Sequence, residues 1–397
     1  MIKKEILLAI LLFFTSHGQS QRLIYDENIP VEKLRVVLEE AKGGLVSEML
    51  TDLEYIPLQG GKSDLVDYIY EIVFHKGKIG VLGANEGYFH LYHEDGRFIN
   101  KITKIDGYKP HPNSGNALFN FIDVAEDKLE LSSSDFTARV DLLGNIVDTV
   151  HQGKAFYASE DDGFGQYLKK EVTIENTNYK LYGTYQDDER IKQDVLLMNG
   201  IPIVQYDPLD TIKTYMINDD LSKVHNGKSY MTVGYNTKIF QLSASGIDKI
   251  YEIVLPARNT FDLKNAPQLK QADYSKGYQY FAENNLIVSS LSQVSPYRDY
   301  LLFRAIRNHN PMWLVYNLKT KEVLSLNNII PDRSNDYLNF FDVRKIFVQD
   351  DFLYSIIYTS DIREAKEKCL VEGHTMRKEY ADLEKYNNPI LVRFKLK

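Results

Sequence analysis

A strand–turn–strand phrase recurs along this chain in steps of about 50 residues. In each copy, an apolar run is followed by a short polar turn and a second apolar run. The copies are His75-Lys76-Gly77-Lys78-Ile79, Glu126-Asp127-Lys128-Leu129, Asn226-Gly227-Lys228, Glu283-Asn284-Asn285-Leu286 and Gln349-Asp350-Asp351-Phe352. One further copy near residue 180 would complete the spacing. This period predicts a radial or linear array of similar sheets.

The first copy shows the repeating unit most clearly. Its predicted strands are Tyr68–Phe74, Lys78–Leu82, Tyr88–Tyr92 and Arg97–Thr103. Short alternating runs between glycine-containing polar turns indicate an antiparallel sheet of the kind that forms a propeller blade. The following copies are expected over 119–150, 168–217 (with a turn at 207–210), 223–255, 277–326 and from 341 onward.

The last copy lacks one strand. It supplies strands at 343–348, 352–358 and 390–395, and the isolated strand Leu53–Leu58 would provide the fourth. Pairing an early strand with the last sheet closes a ring and removes open sheet edges. The sequence therefore predicts an all-β, six-bladed β-propeller over 49–397, in preference to a β-helix or a pair of sandwiches.

Two segments outside the repeats have helical patterns. The leader at 21–48 carries an apolar stripe after Pro30, formed by Val31, Leu34, Val37, Leu38 and Ala41, and Gly43-Gly44 ends it. This stripe predicts a short N-terminal helix. The segment at about 361–386 is rich in Glu, Lys, Ala and Leu, and Gly373 interrupts it. It predicts a helical insertion in the last blade.

The first residues have the pattern of an export signal. Lys3 and Lys4 precede an apolar run at 6–14, and small and polar residues follow to Ser20. The run is too short to span a membrane, so we expect a signal peptide at 1–20, with a buried N-terminal helix as the alternative. No cysteine follows the run, and the single cysteine, Cys369, is expected to be a buried structural residue. We therefore expect a periplasmic or secreted protein without a lipid anchor and without membrane insertion after signal cleavage.

The chain resembles the bacterial exported six-bladed β-propeller family, which is distantly similar to NHL-repeat propellers. The residues that carry the resemblance are Leu53–Leu58, Ile69–Ile72, Lys78–Leu82 and His93–Phe98. It extends over roughly 50–396 and is strongest at 50–150. The family commonly has a Gly-Pro-Gly-Glu type loop after the first blade, where this chain has Gly107–Gly115 without that motif. The resemblance implies a propeller fold and export, and no settled enzymatic activity.

The sequence lacks the residues that several functional classes of protein require. A net charge of −8 argues against binding to nucleic acid or anionic membranes, since both require a basic surface. No phosphate-binding loop, nucleophile elbow, zinc-binding helix or EF-hand loop is present, so we expect no cofactor. His90 and His93 would point to opposite faces of a strand and are not expected to share a metal. The acidic runs 160–162 and 187–189 would suit a hard cation or a solvated loop.

Aromatic residues beside polar ones in loops are the best candidates for binding. Rings beside amides and cations suit the recognition of sugars or peptides, although these rings could instead fill gaps between blades. The candidate binding residues are Tyr108, Lys109, His111, Asn113, Tyr297, Arg298, His309 and Trp313.

Taken together, the sequence predicts an exported, non-enzymatic recognition propeller for a peptide, a glycan or a partner protein. The alternative is a propeller hydrolase or lyase with a metal or a carboxylate pair in the channel. A third hypothesis is a structural scaffold that docks its partner through the insertion at 361–386.

Overall fold

The computed structural model describes residues 23–66, 68–84, 87–105, 118–119, 121–125, 127–133, 136–151, 164–186, 193–206, 220–266, 269, 274–308, 310–341 and 345–397. The predicted signal peptide lies outside these described residues. The chain forms two compact units. The first comprises the described residues within Met1–Ala41, Tyr157–Pro296 and Tyr300–Val323. The second comprises those within Lys42–Phe156, Tyr297–Asp299 and Leu324–Lys397.

Residues 23–57, called the leader from here on, contain four strands and one short helix. These elements are β1 (Leu23–Ile24), β2 (Val31–Arg35), β3 (Lys42–Leu45), α1 (Val46–Met49) and β4 (Leu50–Pro57). Two four-stranded sheets of the second unit follow. The first sheet consists of β5 (Ile69–His75), β6 (Lys78–Gly83), β7 (Phe89–His93) and β8 (Phe98–Ile102). The second sheet consists of β9 (Phe121–Ala125), β10 (Lys128–Ser132), β11 (Phe136–Val140) and β12 (Ile146–His151).

The third and fourth sheets belong to the first unit. The third contains β13 (Phe164–Ile174), β14 (Thr177–Gln186), β15 (Gln193–Met198) and β16 (Ile201–Tyr206). The fourth contains β17 (Asp220–Leu221), β18 (Ser229–Thr232), β19 (Lys238–Ser243) and β20 (Gly246–Val254). Helix α2 (Tyr274–Glu283) precedes the fifth sheet. That sheet contains β21 (Val288–Tyr297), β22 (Tyr300–Arg307), β23 (Asn310–Asn317) and β24 (Val323–Ile330).

The sixth sheet contains the last three strands of the chain and one helical insertion. These elements are β25 (Phe347–Gln349), β26 (Phe352–Ile357), α3 (Thr359–Val371), α4 (Lys378–Ala381) and β27 (Ile390–Leu396). Its fourth strand is β4, which pairs antiparallel with β27 from Pro57 opposite Ile390 to Leu50 opposite Leu396. The predicted pairing of an early strand with the last sheet is therefore confirmed. Within the described residues, no helix is long and apolar enough to cross a bilayer.

The leader adds a strand to the outer edge of three further sheets. Strand β1 pairs antiparallel with β16 of the third sheet. Strand β2 pairs parallel with β20 of the fourth sheet, and β3 pairs parallel with β24 of the fifth. The four leader strands thus extend four consecutive sheets, each at its last strand.

The helix predicted from the stripe after Pro30 is wrong in its position. Residues Val31–Arg35 form β2, Leu38–Glu40 form a single 3-10 turn, and the short helix of the leader is α1. Leu34, Val36 and Leu38 are buried in alternation, with at most 2% exposure. In so short a segment the same apolar residues fit a period of two as well as a helical period, and pairing with β20 decides between them.

Alternating side chains build apolar layers between neighbouring sheets. In the second unit, Leu91 of the first sheet and Leu131 of the second belong to one buried cluster. Tyr92 and Ile79 belong to another, with Leu391 of the sixth sheet. Successive residues of a strand point to opposite faces, so each sheet contributes to the layers on both of its sides.

The turn between the first and second strands is the true repeat of the chain. It has two residues in the first, third, fifth and sixth sheets, and in the fourth the two-residue turn Asn226-Gly227 is closed by a bridge between His225 and Lys228. The first turn residue has a positive φ of 46° to 54° in these five sheets: Lys76, Glu175, Asn226, Arg298 and Asp350. Such turns suit the twist of a tight hairpin. The missing copy near 180 is therefore the turn that begins at Glu175. The copy expected at Glu283 is wrong, because Glu283 ends α2, and the corresponding turn begins at Arg298.

The helical insertion at about 361–386 is confirmed, with a break at Gly373, whose φ is +63°. Ile362, Ala365 and Cys369 of α3 are buried, and burial raises the pKa of the Cys369 thiol. Fully buried Asp336, in the loop after β24, anchors the insertion. Its carboxylate accepts hydrogen bonds from His374 Nε2 at 2.7 Å and from the backbone N and Nε of Arg377 at 2.8 Å and 3.0 Å.

Candidate functional site

Each sheet has two ends of different character. At one end, called here the hairpin end, short turns join the first strand to the second and, in every sheet but the sixth, the third to the fourth. At the other, the loop end, lie the connections from the second strand to the third and from one sheet to the next. Helix α2 and the insertion α3–α4 both lie in connections of the loop end. Long connections on a rigid scaffold are where binding residues concentrate.

Exposed aromatic side chains gather at the loop end in the second unit. Tyr68 is 60% exposed, and Tyr70, at the start of β5, is 43% exposed. Tyr358, just after β26, and Lys345, just before β25, contact these two tyrosines. We call Tyr68, Tyr70, Tyr358 and Lys345 the tyrosine patch.

Two contacting pairs, one of tilted rings and one of a cation over a ring, form the tyrosine patch. The ring centroids of Tyr68 and Tyr358 are 5.5 Å apart, with an angle of 57° between the ring planes. The Lys345 ammonium lies 4.0 Å from the centroid of the Tyr70 ring and donates a hydrogen bond to the Tyr70 carbonyl oxygen. A cation over a tyrosine ring is attracted by the negative face of the ring. The patch therefore combines aromatic surface, phenol hydroxyls and one cation.

A hydrogen bond between neighbouring sheets supports this region. Glu71 Oε2 accepts a hydrogen bond from the backbone N of Ile122 at 3.1 Å, which joins β5 to β9. The residues before these two in the chain are Tyr70 and Phe121, and Phe121 is 37% exposed. Rings held by strands, with little freedom to lose on contact with a ligand, suit recognition.

The tyrosine patch was not predicted from the sequence, although the sequence contains a signal for it. Tyr68 and Tyr70 flank Ile69, which is 7% exposed, so the two rings share the register opposite to the buried residue. Aromatic residues in the exposed register at a strand start are candidates for binding. Lys345 could not be found in this way, because its contact with Tyr70 joins positions 275 apart in the chain.

Five of the candidate binding residues, Tyr108, Lys109, His111, Asn113 and His309, lie outside the described residues. The acidic runs 160–162 and 187–189 also lie outside them. Tyr297 and Arg298 lie at the hairpin end of the fifth sheet. Tyr297 is 1% exposed, and its hydroxyl accepts a hydrogen bond from the backbone N of Leu396 at 3.3 Å. Arg298 donates to the Leu396 carbonyl at 3.4 Å.

Trp313, in β23, is fully buried. Neither Trp313 nor Tyr297 therefore lies at the surface of the unit to which it belongs. A binding role for either residue stays a prediction. His90 and His93 both lie in β7, where His90 is 2% exposed and His93 Nδ1 is 3.1 Å from Lys78 Nζ. In the part of the chain that the structure describes, no group of three or more His, Cys, Asp or Glu side chains is placed to hold a metal ion.

Comparison with known families agrees with this architecture. Residues 27–107 match the model of the family DUF5128, which is described as a 6-bladed beta-propeller. The matched span contains the segments on which the resemblance was recognised. No curated protein matches the chain. With six sheets of four repeat strands in chain order, the protein is an all-β, six-bladed β-propeller, as its sequence predicts.

Solved structures that are similar to this chain have very different sequences. A protein from Bacteroides fragilis NCTC 9343, described as exported, has a TM-score of 0.60 at 12% identity, covering 92% of this chain and 99% of that chain. A DUF4221 member from Bacteroides vulgatus has a TM-score of 0.45 at 12% identity, covering 88% and 98%. A luciferin-regenerating enzyme has a TM-score of 0.40 at 10% identity, covering 87% and 97%. At 12% identity, the likeness to the Bacteroides fragilis protein establishes the fold alone.

Proposed function

We propose that this protein is an exported, non-enzymatic recognition propeller that binds its ligand at the tyrosine patch. The observation that carries the proposal is the exposure of Tyr68 and Tyr70, at 60% and 43%, on strands and loops that the packed sheets hold in place. Large aromatic rings left in water on a rigid scaffold favour contact with a partner. The apolar start of the chain and the exported protein of the same fold support location outside the cytoplasm.

A glycan fits the tyrosine patch best among the three ligand classes. Sugar rings present C–H groups on their faces and hydroxyls on their rims, so they can stack on tyrosine rings while the rim meets polar groups. The phenol hydroxyls and the Lys345 ammonium would hydrogen-bond to the hydroxyls on the rim of the sugar. The faces of Tyr68 and Tyr358 would stack on the sugar ring. A peptide or a partner protein would use the same rings as anchors. We propose Tyr108, Lys109, His111 and Asn113 as further contacts, since they stand between β8 and β9 in the sequence.

The alternative of a hydrolase or lyase makes a different prediction. It requires a metal or a carboxylate pair, and it predicts turnover of a glycan or an ester by the purified protein. Elemental analysis of protein prepared without chelator, together with an activity panel on glycans and esters, distinguishes it from binding alone.

Replacing Tyr68 by alanine tests the proposed site. We expect Tyr68→Ala to weaken binding to a glycan found by array screening by about tenfold or more, since a stacking ring is removed. Isothermal titration calorimetry measures the change. The matched control is Tyr278→Ala on α2, which removes a tyrosine that is 52% exposed.

Equal losses in Tyr68→Ala and Tyr278→Ala would contradict the tyrosine patch as the site. If no glycan on the array binds, and peptides from a library bind in a way that requires Tyr68, the ligand is a peptide instead of a glycan. Measurable turnover of a bound glycan would overturn the non-enzymatic assignment.

A further inference from the structure

Tyr68 of the tyrosine patch lies in the segment that joins the sixth sheet to the first. This segment begins at Leu58, just after β4, and ends at Tyr68, just before β5. Its described residues contain one 3-10 turn, Lys62–Asp64, and no other helix or strand. A ring that a connecting segment carries into water needs further contacts to hold it in one orientation. The two ends of the insertion α3–α4 supply such contacts.

The start of the insertion contacts the Tyr68 ring directly. Tyr358 immediately precedes α3, and its ring lies against the ring of Tyr68. The backbone N of Tyr358 donates a hydrogen bond to Asp361 Oδ2 at 2.6 Å, which ties this residue to the first turn of α3. Thr359 Oγ1 donates to the Tyr386 carbonyl oxygen at 3.3 Å, so the start of the insertion lies beside its end.

The end of the insertion holds the backbone that leads to Tyr68. Asn388 lies between α4 and β27, is 3% exposed, and uses both polar atoms of its side chain on the segment. Oδ1 accepts a hydrogen bond from the backbone N of Val66 at 2.8 Å, and Nδ2 donates to the Asp64 carbonyl oxygen at 3.3 Å. Loss of this buried amide would leave both backbone groups without their partner, which is destabilising.

Val66 fixes the place where Asn388 acts. Its side chain is 3% exposed and belongs to a buried cluster with Ile72 of β5 and Leu391 of β27. Val66 stands two residues before Tyr68, so its backbone sets the direction in which the segment enters β5. Asn388 supplies the hydrogen-bond acceptor that the buried backbone N of Val66 requires.

We propose that Asn388 is a positioning residue for the tyrosine patch, and that through Asn388 and Tyr358 the insertion controls the orientation of Tyr68. The inference rests on the proposed function, since it takes the patch as the ligand site. Asn388 acts through the segment alone, because its side chain is buried beneath it. A protein that binds α3–α4 and displaces it would therefore change the affinity of the patch. By linkage, a ligand at the patch would change the affinity of α3–α4 for that protein by the same factor.

A tryptophan in place of Tyr68 reports on the segment without any ligand. The natural tryptophan, Trp313, is fully buried and gives a constant background. In the Tyr68→Trp protein, the additional change Asn388→Ala should lower the fluorescence anisotropy of the introduced ring. Its quenching by acrylamide should rise by about twofold, because the segment gains motion on the nanosecond timescale.

Asn335→Ala is the matched control. Asn335 is a fully buried amide of the same unit. It accepts a hydrogen bond from the backbone N of Asp332 at 3.0 Å and donates to the Leu338 carbonyl oxygen at 2.6 Å, so it makes the same kinds of bond in a different loop. Its removal should destabilise the protein and leave the signal of the introduced tryptophan unchanged. Equal changes of that signal in the Asn388 and Asn335 variants would overturn the positioning role.

The wild-type protein offers a test that needs no substitution. The Val66 amide should exchange its hydrogen about tenfold or more slowly than an unprotected amide, because Asn388 Oδ1 accepts its hydrogen bond. Exchange of this amide at the unprotected rate would overturn the proposal even if Asn388→Ala does not fold.

Binding measurements connect Asn388 to the ligand site. Asn388→Ala should weaken binding of the glycan found by array screening by about threefold or more, and Asn335→Ala should leave it unchanged. Equal affinities of wild type and Asn388→Ala would overturn the control of the patch by the insertion. A protein that binds no glycan would count against the proposed function alone, because the fluorescence and exchange measurements require no ligand.

Discussion

Gly96→Ala is expected to destabilise the protein by about 2–5 kcal/mol. Gly96 has a φ of +84°, and an added Cβ would overlap the carbonyl oxygen of Pro57 and lie 3.0 Å from its carbonyl carbon. The neighbour is backbone and cannot rotate away. Pro57 is the last residue of β4, so the clash would separate the turn of the first sheet from the strand that completes the sixth. Urea unfolding of the variant measures the loss.

The chain offers a close control for the backbone conformation. Gly200 has a φ of +83°, and a Cβ there would meet nothing within 4 Å. Gly200→Ala should therefore cost only the strain of a left-handed alanine, about 1–2 kcal/mol. The difference between the two variants isolates the contact with Pro57. Equal losses would show that the close approach of β4 to the first sheet contributes nothing to stability.

Asp336→Asn is expected to lower the free energy of unfolding by about 2–3 kcal/mol at neutral pH, because asparagine carries no charge to pair with Arg377 and offers an acceptor oxygen to only one of His374 and Arg377. Asparagine tolerates the φ of +51° at this position, so the backbone should not add strain. The control is Asp382→Asn in the same insertion. Its side chain is 51% exposed and lies 4.0 Å from Lys385, and an exposed pair of this kind contributes little.

The loss caused by Asp336→Asn should depend on pH. Burial on its own would raise the pKa of Asp336, but hydrogen bonds from His374 and Arg377 and the charge of Arg377 outweigh it and hold this pKa below its ordinary value. A carboxyl group with a lowered pKa stabilises the fold fully above the ordinary aspartate value of about 3.9. That contribution is lost as the pH falls through the lowered value. The gap between wild type and variant should therefore be constant at neutral pH and narrow in acid. A gap that stays constant into acid would contradict the role of the charge.

Much of the fold was predictable because its signals are local. The first sheet was expected at 68–74, 78–82, 88–92 and 97–103, and its strands lie within two residues of these bounds. The helical insertion and its break at Gly373 were predicted as well. Errors arose where tertiary pairing decides. Val31–Arg35 form a strand because they pair with β20. The sequence near Glu283 has the polar character of a turn, although Glu283 ends a helix.

The candidate site was harder to predict, for a physical reason. Tyrosine is common in this chain, with 28 copies, and an isolated ring in the sequence does not show whether it is buried. Tyr297 precedes Arg298, and Trp313 follows Asn310 by three residues, yet both rings are buried, whereas Tyr68 is exposed. Burial depends on which sheet packs on the residue, and that information is spread over the whole chain.

The leader that extends four sheets also bears on how the protein is made. Glu54 of β4 and Arg393 of β27 form an ion pair, yet they lie 339 positions apart in the chain. During synthesis, β4 must therefore wait unpaired while every sheet is completed. Contacts between such distant positions are slow to form, because a long loop must close first. A chain whose synthesis stops early would leave its first strands unpaired. A chaperone or protease that binds extended segments could therefore distinguish an unfinished molecule from a finished one.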